Sequence, residues 1–454
     1  MSLNEKIFRE YDIRGVADVD LQDAEMHPLS RAIGTFLAAK GAKTVTLGRD
    51  CRLSSDRLHD IFEEGLRSTG LNVIDVGLVP TPLLYYSVFH LKVDGGLMIT
   101  GSHNPPDQNG FKIMSGLSTI HGRDIQEVLR ICKSKDFRSG KGTLKTTDVR
   151  LAYMDEICKN FPKPLNIRIA VDNGSGMAGG IAGPLYRRLG CEVTDLFPQP
   201  DGAFPYHHPD PTVPDNLSEL RKTVAKSGAV AGIAFDGDAD RIGVIDRTGR
   251  MIYGDELLVI YSRAVLKKHP GAKIISEVKA SYRLFLDIAE HGGIPILWKT
   301  GHSLIKAKMK EEKSPLAGEM SGHMFFNDRY YGYDDAIYAG VRLLEILSEE
   351  GKTPAELLSD LPQTIVTPEI RVDCPDEIKF AVVEESRKAL ERKGLRVNGI
   401  DGARVEYDDG WGLVRASNTQ PVLVFRFEAT SQKRLDEIRA EIESVVTQKT
   451  RELR

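Results

Sequence analysis

The chain has 454 residues, 41% hydrophobic and 28% charged, with 61 Lys and Arg against 65 Asp and Glu for a net charge of −4. That length suggests about two to four domains, and the composition can bury sizeable cores without disulfide or metal staples. The near-neutral balance excludes a global pull toward nucleic acid or anionic lipid, so an anionic substrate has to be met by a local cluster of cations.

Five cysteines, Cys51, Cys132, Cys158, Cys191 and Cys374, are far apart and odd in number. No pair has the short spacing of a zinc site or a redox motif, so they read as reduced thiols of a cytoplasmic protein. The first twelve residues, MSLNEKIFREYD, lack the apolar stretch of a secretory signal. No apolar run approaches the ~18 residues of a membrane span. The expectation is therefore a cytoplasmic protein with neither a membrane nor a nucleic-acid partner.

In chain order, short β-rich apolar runs fall at 44–47, 72–76, 97–100, 167–171, 230–235 and 273–278, with amphipathic helical stretches such as 57–68 and 281–291 between them. Such alternation predicts an α/β architecture of layered sheets. From about Gln363 the order becomes strand, helix, hairpin, strand, helix: 364–372, 377–393, 403–407, 423–427 and 432–446. That is a smaller α+β domain. Pro- and Gly-rich punctuation near Lys141–Thr147, Arg247–Gly249 and Leu361–Pro362 divides the chain into about four domains, 1–147, 148–250, 251–362 and 363–454. The passages MITGSHNPP (98–106) and IAFDGDADR (233–241) are loosely alike and hint at duplication.

Four loops carry candidate chemistry. Thr100-Gly101-Ser102-His103-Asn104-Pro105-Pro106 follows an apolar run and offers an accessible Ser with a stiffened exit. It reads as a nucleophilic Ser that accepts a phosphoryl group, or as a plain polar β-turn. Asp236-Gly237-Asp238-Ala239-Asp240-Arg241 follows a strand. In an extended segment its alternate carboxylates point to one side, where a hard divalent cation would relieve their repulsion. An EF-hand is excluded, because Arg241 stands at the sharp-turn Gly position and Arg247 at that of the bidentate Glu. A solvated acidic turn is the other reading.

The third loop, Gly318-Glu319-Met320-Ser321-Gly322-His323, alternates an acceptor, a hydroxyl and an imidazole. This suits a polyhydroxylated ligand, or only water. The fourth, Arg415-Ala416-Ser417-Asn418-Thr419-Gln420-Pro421, could cradle phosphate through the Arg fork and small donors, or be a turn closed by Pro. Asp409-Gly410-Trp411-Gly412 just upstream predicts a hairpin. Together the four supply a nucleophile, a metal site, a sugar reader and a phosphate anchor.

TGSHNPP, DGDADR, GEMSGH and RASNTQP resemble the four signature loops of the α-D-phosphohexomutase family, in the family's order and spacings, with its bacterial phosphomannomutase/phosphoglucomutase branch nearest. The resemblance runs from Phe8-Arg9-Glu10-Tyr11-Asp12-Ile13-Arg14-Gly15 to Arg426-Phe427-Glu428, nearly the whole chain. It implies a heart-shaped monomer: three similar domains, each a mixed sheet between helices, plus a smaller C-terminal α+β domain, around a central cleft. In order these would carry the phosphoserine, the metal, the sugar contacts and the phosphate anchor.

The implied activity interconverts hexose 1-phosphate and hexose 6-phosphate, of mannose or glucose, through a phosphoserine and a 1,6-bisphosphate that also serves as activator. By position in the matching motifs, Ser102 is the implied phosphoserine. With Asp236, Asp238 and Asp240 it would bind one Mg²⁺. Glu319 and Ser321 would read the 3- and 4-hydroxyls, and Arg415, Ser417, Asn418 and Thr419 would hold the non-reacting phosphate. Tyr11, Arg14, Lys112 and Arg241 resemble residues near the reacting group, and Lys279, Thr300, Gly301 and His302 resemble sugar or phosphate contacts. Lys112, His323 and Arg14 are unranked acid/base candidates.

Ala239 departs from the family's frequent Gly and is expected to be tolerated in an extended turn of negative φ. Met320 stands where phosphoglucosamine mutases usually carry Gln, which favours mannose or glucose over glucosamine. A phosphoglucosamine mutase, a Ser-nucleophile metal-dependent phosphatase and a non-catalytic phosphosugar-binding module are the alternatives. The purely carboxylate metal loop suits Mg²⁺ better than the zinc of many such phosphatases.

Overall fold

The computed structural model describes residues 4–418 and 420–454. Among these the chain forms four sheets, of seven, five, four and six strands. The first contains Asn72–Leu78, Thr44–Arg49 and Gly95–Ile99 as parallel neighbours, with Gln108–Ser115 antiparallel at the side of the last. Ile13–Val16 adds beyond it, and Leu144–Thr146 extends the other edge. The second repeats the pattern with Glu192–Leu196, Arg168–Asp172 and Ala231–Phe235 parallel, then Ile242–Asp246 antiparallel. The third does so again with Ile294–Trp298, Lys273–Glu277 and Leu316–Gly318, then Met324–Phe326. One unit of three parallel strands and one reversed strand thus occurs three times, bearing out the hint of duplication.

The innermost strands read as unbroken apolar runs because helices cover both faces. All five residues of Gly95–Ile99 and of Ala231–Phe235 are buried. Helix Ser55–Ser68 shows the matching amphipathic spacing, burying Leu58, Ile61, Phe62 and Leu66. A few helices begin where a small polar residue takes up a free N–H group: Asp335 accepts from Tyr338, and Ser281 from Arg283.

The last sheet, antiparallel throughout, has two long helices, Asp376–Arg392 and Gln432–Leu453, packed on it. The hairpin turn falls at Asp408–Asp409, so that Gly410, Trp411 and Gly412 already lie in the strand Gly410–Ala416. Its offset from the expected position follows from the pairing of Tyr407 with Gly410. One large core runs through the second and third units and takes in Val76, Val88, Met98 and Met114 of the first; the first unit has a further core of its own, and so does the C-terminal unit. No helix among the described residues is long and apolar enough to cross a membrane.

A small seam joins the C-terminal unit to the third. Val278, Trp411 and Leu413 form its apolar part. The buried Arg404 donates to the carbonyls of Val278 (2.6 Å) and Ala280 (2.8 Å), with its guanidinium 3.8 Å from the Trp411 ring centre. Trp411 Nε1 donates to Glu428 at 2.7 Å, and Ser281 Oγ donates to the same carboxylate at 2.7 Å. Trp411, 1% exposed, therefore holds both packing and polar contacts. We expect Trp411→Ala to cost about 3–5 kcal/mol of stability, read from urea denaturation followed by circular dichroism. A midpoint unchanged from the native protein would show the seam to be incidental.

Candidate active site

The three repeated units place their signature loops at equivalent points. Residues 100–107 join Gly95–Ile99 to Gln108–Ser115, residues 236–241 join Ala231–Phe235 to Ile242–Asp246, and residues 319–323 join Leu316–Gly318 to Met324–Phe326. Each loop therefore leaves the carboxyl end of a parallel strand, where α/β sheets present ligand-binding groups.

Ser102 is 4% exposed and has φ +49°, in the left-handed region that non-glycine residues rarely occupy. Its Oγ donates to Asp236 Oδ2 at 2.7 Å and lies 3.2 Å from His103 Nδ1. Gly237 makes this approach possible, because a Cβ there would stand 2.5 Å from the Ser102 carbonyl oxygen.

Asp236, Asp238 and Asp240 converge, with ligand atoms within 4.8 Å of one another. They do so through a tight turn rather than an extended segment: Ala239 has φ +59°, and Asp236 Oδ1 accepts from the N–H groups of Asp240 and Arg241, both at 3.1 Å. The expected negative φ at Ala239 is thereby corrected. Curling the backbone back onto the first carboxylate requires the left-handed residue, and the Ala239 methyl is wholly buried.

Lys112 Nζ, from the first unit, donates to Asp238 at 2.6 Å and also to Asp240. Thr81, also from the first unit, donates to Asp238 from both its hydroxyl and its N–H. Burial and the charges of Asp240 and Asp238 push the Asp236 carboxyl well above the usual range. Burial would likewise raise Asp240, but Lys112 and His323 hold it well below. Burial would lower Lys112, and Asp238 and Asp240 outweigh it, so the ammonium stays charged.

Asp238 Oδ1 is buried and makes no hydrogen bond among the described residues. Three hard oxygen donors with one lone pair unmet fit a divalent cation such as Mg²⁺. Asp240, His323 and Asp334 form a second close cluster, but Lys306 and His302 already flank Asp334.

His323 links this end to the Glu319 loop. Its Nε2 lies 3.2 Å from Asp240 Oδ1 and its Nδ1 2.7 Å from Glu319 Oε2. Burial would lower it, yet Asp240 and Glu319 bring it up to about 9 against the opposing charge of Arg241. As an imidazolium it donates from both nitrogens, so Arg241 Nε at 3.3 Å is a neighbouring cation rather than a donor to it. Ser321 Oγ lies 3.4 Å from His323 Nδ1. The other Glu319 oxygen accepts from Gly301 N at 2.7 Å. Burial would raise Glu319, but His323, the Gly301 N–H and Lys279 hold it at about 2.

At the far end three units meet on Tyr11. Its hydroxyl donates to the Thr300 carbonyl at 2.7 Å and accepts from Asn418 Nδ2 at 2.6 Å. Gly301, at φ +129°, lets the Tyr11 ring approach, since a Cβ would lie 2.5 Å from Cζ. Arg415 pairs with Asp401 through Nε (3.1 Å) and Nη2 (3.3 Å), and Asp401 also accepts from Thr300 N at 3.0 Å.

Arg14 pairs with Asp12 and reaches Asn104 at 3.3 Å. Lys279 Nζ donates to Glu369 at 3.1 Å. His302 opens helix His302–Glu312 behind Gly301, its ring beside Asp334 and 5.5 Å from that of His323. The Ser417 hydroxyl accepts from Gln420 N at 3.1 Å. Thr419 lies outside the described residues.

Family models cover the chain in four consecutive pieces: phosphoglucomutase/phosphomannomutase alpha/beta/alpha domain I at 5–139, domain II at 152–249, domain III at 253–365 and the C-terminal domain at 369–445. The chain belongs to the phosphoglucomutase/phosphomannomutase family. It is 46% identical over 438 residues to a phosphomannomutase/phosphoglucomutase of Pseudomonas putida, covering 96% of this chain and 95% of that protein. It is 45% identical to a phosphoglucomutase of Neisseria gonorrhoeae, covering 98% and 97%. A solved family member from Burkholderia thailandensis superposes with a TM-score of 0.92 at 41% identity, covering 99% of this chain and 98% of that one.

Sequence reasoning missed several residues of this family member's site. Asp401 holds Arg415, Glu277 accepts from Thr300 Oγ1 (3.0 Å) and Lys279 N (2.7 Å), and buried Lys379 donates to the carbonyls of Ser417 and Gln420. None stands in the four signature loops: Glu277 ends a strand, Asp401 lies in a turn and Lys379 lies on a helix, so each showed in the sequence only as a lone charged residue.

Because Glu319 is held low, its stabilising contribution is present above its ordinary value of 4.5 and is lost as pH falls toward about 2. We expect Glu319→Gln to destabilise the protein at pH 7 and to flatten the acid limb between those values, measured by denaturation at stepped pH. Parallel acid limbs for the two proteins would contradict the His323–Glu319 pairing.

Proposed function

We propose that this chain is a phosphohexomutase that interconverts the 1- and 6-phosphates of mannose and glucose through a phosphorylated Ser102 and a hexose 1,6-bisphosphate. One observation carries the reading: Ser102 Oγ donates to Asp236 at 2.7 Å, inside a buried cluster of three aspartates. The relatives' names, phosphomannomutase/phosphoglucomutase and phosphoglucomutase, support the sugar class. We further propose that the protein is a cytoplasmic monomer and that added 1,6-bisphosphate activates it by phosphorylating Ser102.

Mg²⁺ bound by Asp236, Asp238, Asp240 and an oxygen on Ser102 would neutralise charge on the transferring phosphoryl group. The chain's own cations, Lys112, Arg14 and Arg241, add to that neutralisation, and positioning with charge stabilisation supplies most of the catalysis in phosphoryl transfer. In the first half-reaction the substrate's 6-hydroxyl attacks phosphorus and gives up its proton as the new P–O bond forms, while the bond to Ser102 Oγ breaks and that oxygen takes up a proton. The bisphosphate then turns over, and the reverse transfer from its other end restores the phosphoserine.

Glu319 and Ser321 read the 3- and 4-hydroxyls, whose pseudo-symmetry lets both orientations fit. Arg415, Ser417, Asn418 and Thr419 hold the phosphate that is not reacting, aided by Tyr11, Lys279, Thr300, Gly301 and His302. His323, brought up to about 9, is protonated at neutral pH and suits the role of proton donor.

Two measurements test this. Intact mass should reveal a fraction of the native protein heavier by one phosphate, and Ser102→Ala should abolish that species. The same change should lower kcat by at least about a thousandfold in a coupled assay with glucose 1-phosphate, mannose 1-phosphate and glucosamine 1-phosphate as separate arms. Near-native turnover in Ser102→Ala rejects the phosphoserine, and preference for glucosamine 1-phosphate rejects the sugar assignment. Separately, Asp238→Asn should raise the Mg²⁺ concentration needed for half-maximal rate about tenfold or more, and full activity of the native protein in excess chelator would count against the metal.

A further inference from the structure

Arg52 stands outside the four signature loops, yet its side chain is fully buried against one of them. Nη2 donates to the carbonyls of Ser102 (2.7 Å) and Asn104 (2.6 Å), and Nη1 donates to those of Gln108 (2.8 Å) and Pro105. Asp50 lies 3.3 Å from Arg52 Nε and accepts from Gly101 N at 3.1 Å, so the pair grips the loop on both sides of Ser102. From the second unit, the Phe204 ring lies 5.2 Å from the guanidinium. Gly202 comes so near that a Cβ would stand 2.7 Å from Arg52 Cα.

Four carbonyls converging on one cation is an arrangement that a planar guanidinium can satisfy. A Lys Nζ, with three donors around one point, cannot. The loop needs such a hold. Ser102 sits at φ +49° without being glycine, a conformation that persists only where the surroundings impose it. Asn104, whose carbonyl Arg52 holds, also accepts from Arg14 at 3.3 Å, so the same grip sets the position of a second cation near the reacting group.

We propose that Arg52 is a positioning residue for phosphoryl transfer: by fixing the carbonyls of Ser102, Asn104, Pro105 and Gln108 it holds Ser102 in the left-handed turn that aims Oγ at Asp236. This rests on the phosphoserine reading. Arg52 touches neither the sugar nor the phosphate anchor around Arg415, so its loss falls on transfer and spares substrate binding.

The test is Arg52→Lys, assayed on glucose 1-phosphate at saturating glucose 1,6-bisphosphate, with phosphate on Ser102 followed by intact mass and amide exchange followed by mass spectrometry. We expect kcat to fall about ten- to a hundredfold, the scale of a misplaced reacting group, with KM within about twofold of native. Exchange should quicken within 101–108 and stay native in the rest of the first sheet. A folded Arg52→Lys protein with native kcat overturns the proposal. So does a loss of kcat accompanied by faster exchange throughout that sheet, which marks general damage.

Should Arg52→Lys fail to fold, Phe204→Leu decides. It removes only the ring over the guanidinium and should lower kcat about two- to fivefold at native KM, whereas native kcat there overturns the proposal. Native protein that takes up no phosphate at Ser102 from the bisphosphate sinks the underlying reading. Native protein that does so, beside an unimpaired Arg52→Lys, sinks the Arg52 assignment alone.

Discussion

Three carboxylates brought together out of water are the constraint on which the rest of this structure depends. Asp236, Asp238 and Asp240 are each at most 1% exposed, and like charges so placed are tolerable only with cations and donors close by. The compensation comes from other parts of the chain: Lys112, Thr81 and Ser102 from the first unit, His323 from the third. Assembling the site and packing the units together are therefore the same event. The tight backbone geometry at Ser102, Gly237 and Ala239 lies at this convergence, as expected where surroundings over-determine a conformation.

Duplication explains how so few loop types serve the site. One loop position, after the last parallel strand and before the reversed one, carries Ser102 in the first unit, the three aspartates in the second and Glu319, Ser321 and His323 in the third. A hydrogen-bond path then runs through all four units. It leads from Ser102 and Asp236 to Asp240, His323 and Glu319, on to Gly301 and Thr300, and through Tyr11 to Asn418. The C-terminal unit has its own core and meets the third through a seam whose buried apolar residues are Val278, Trp411 and Leu413, and it carries the Arg415 loop.

Much of the site was legible because its loops are local. Ser102, the three aspartates, Glu319, His323 and Arg415 each lie in a short run whose composition already suggests an anion, a cation or a sugar. What stayed hidden were single residues whose partners are remote in sequence. Arg52 looks like a surface cation before a helix, Asp401 like a turn residue, and Thr81 like the start of an apolar helix. Their meaning is set by carbonyls, a guanidinium and a carboxylate lying 14 to 157 positions away. Ala239 was misjudged for a related reason. An extended loop and a curled one both bring alternate carboxylates to one side, and only the hydrogen bonds back to Asp236 decide between them.

The sequence by itself determined the α/β class, the α+β character of the last segment, and which four loops are candidates, because apolar periodicity and loop composition act over a few residues. The tertiary structure bore out the three sheets as repeats of one unit, at which the sequence had hinted, and it alone decided that Tyr11 joins three of the four units and that Arg52 holds the carbonyls of the Ser102 loop. Those facts are distances between groups remote in the chain, and a buried charge takes its partner from whatever the fold places beside it.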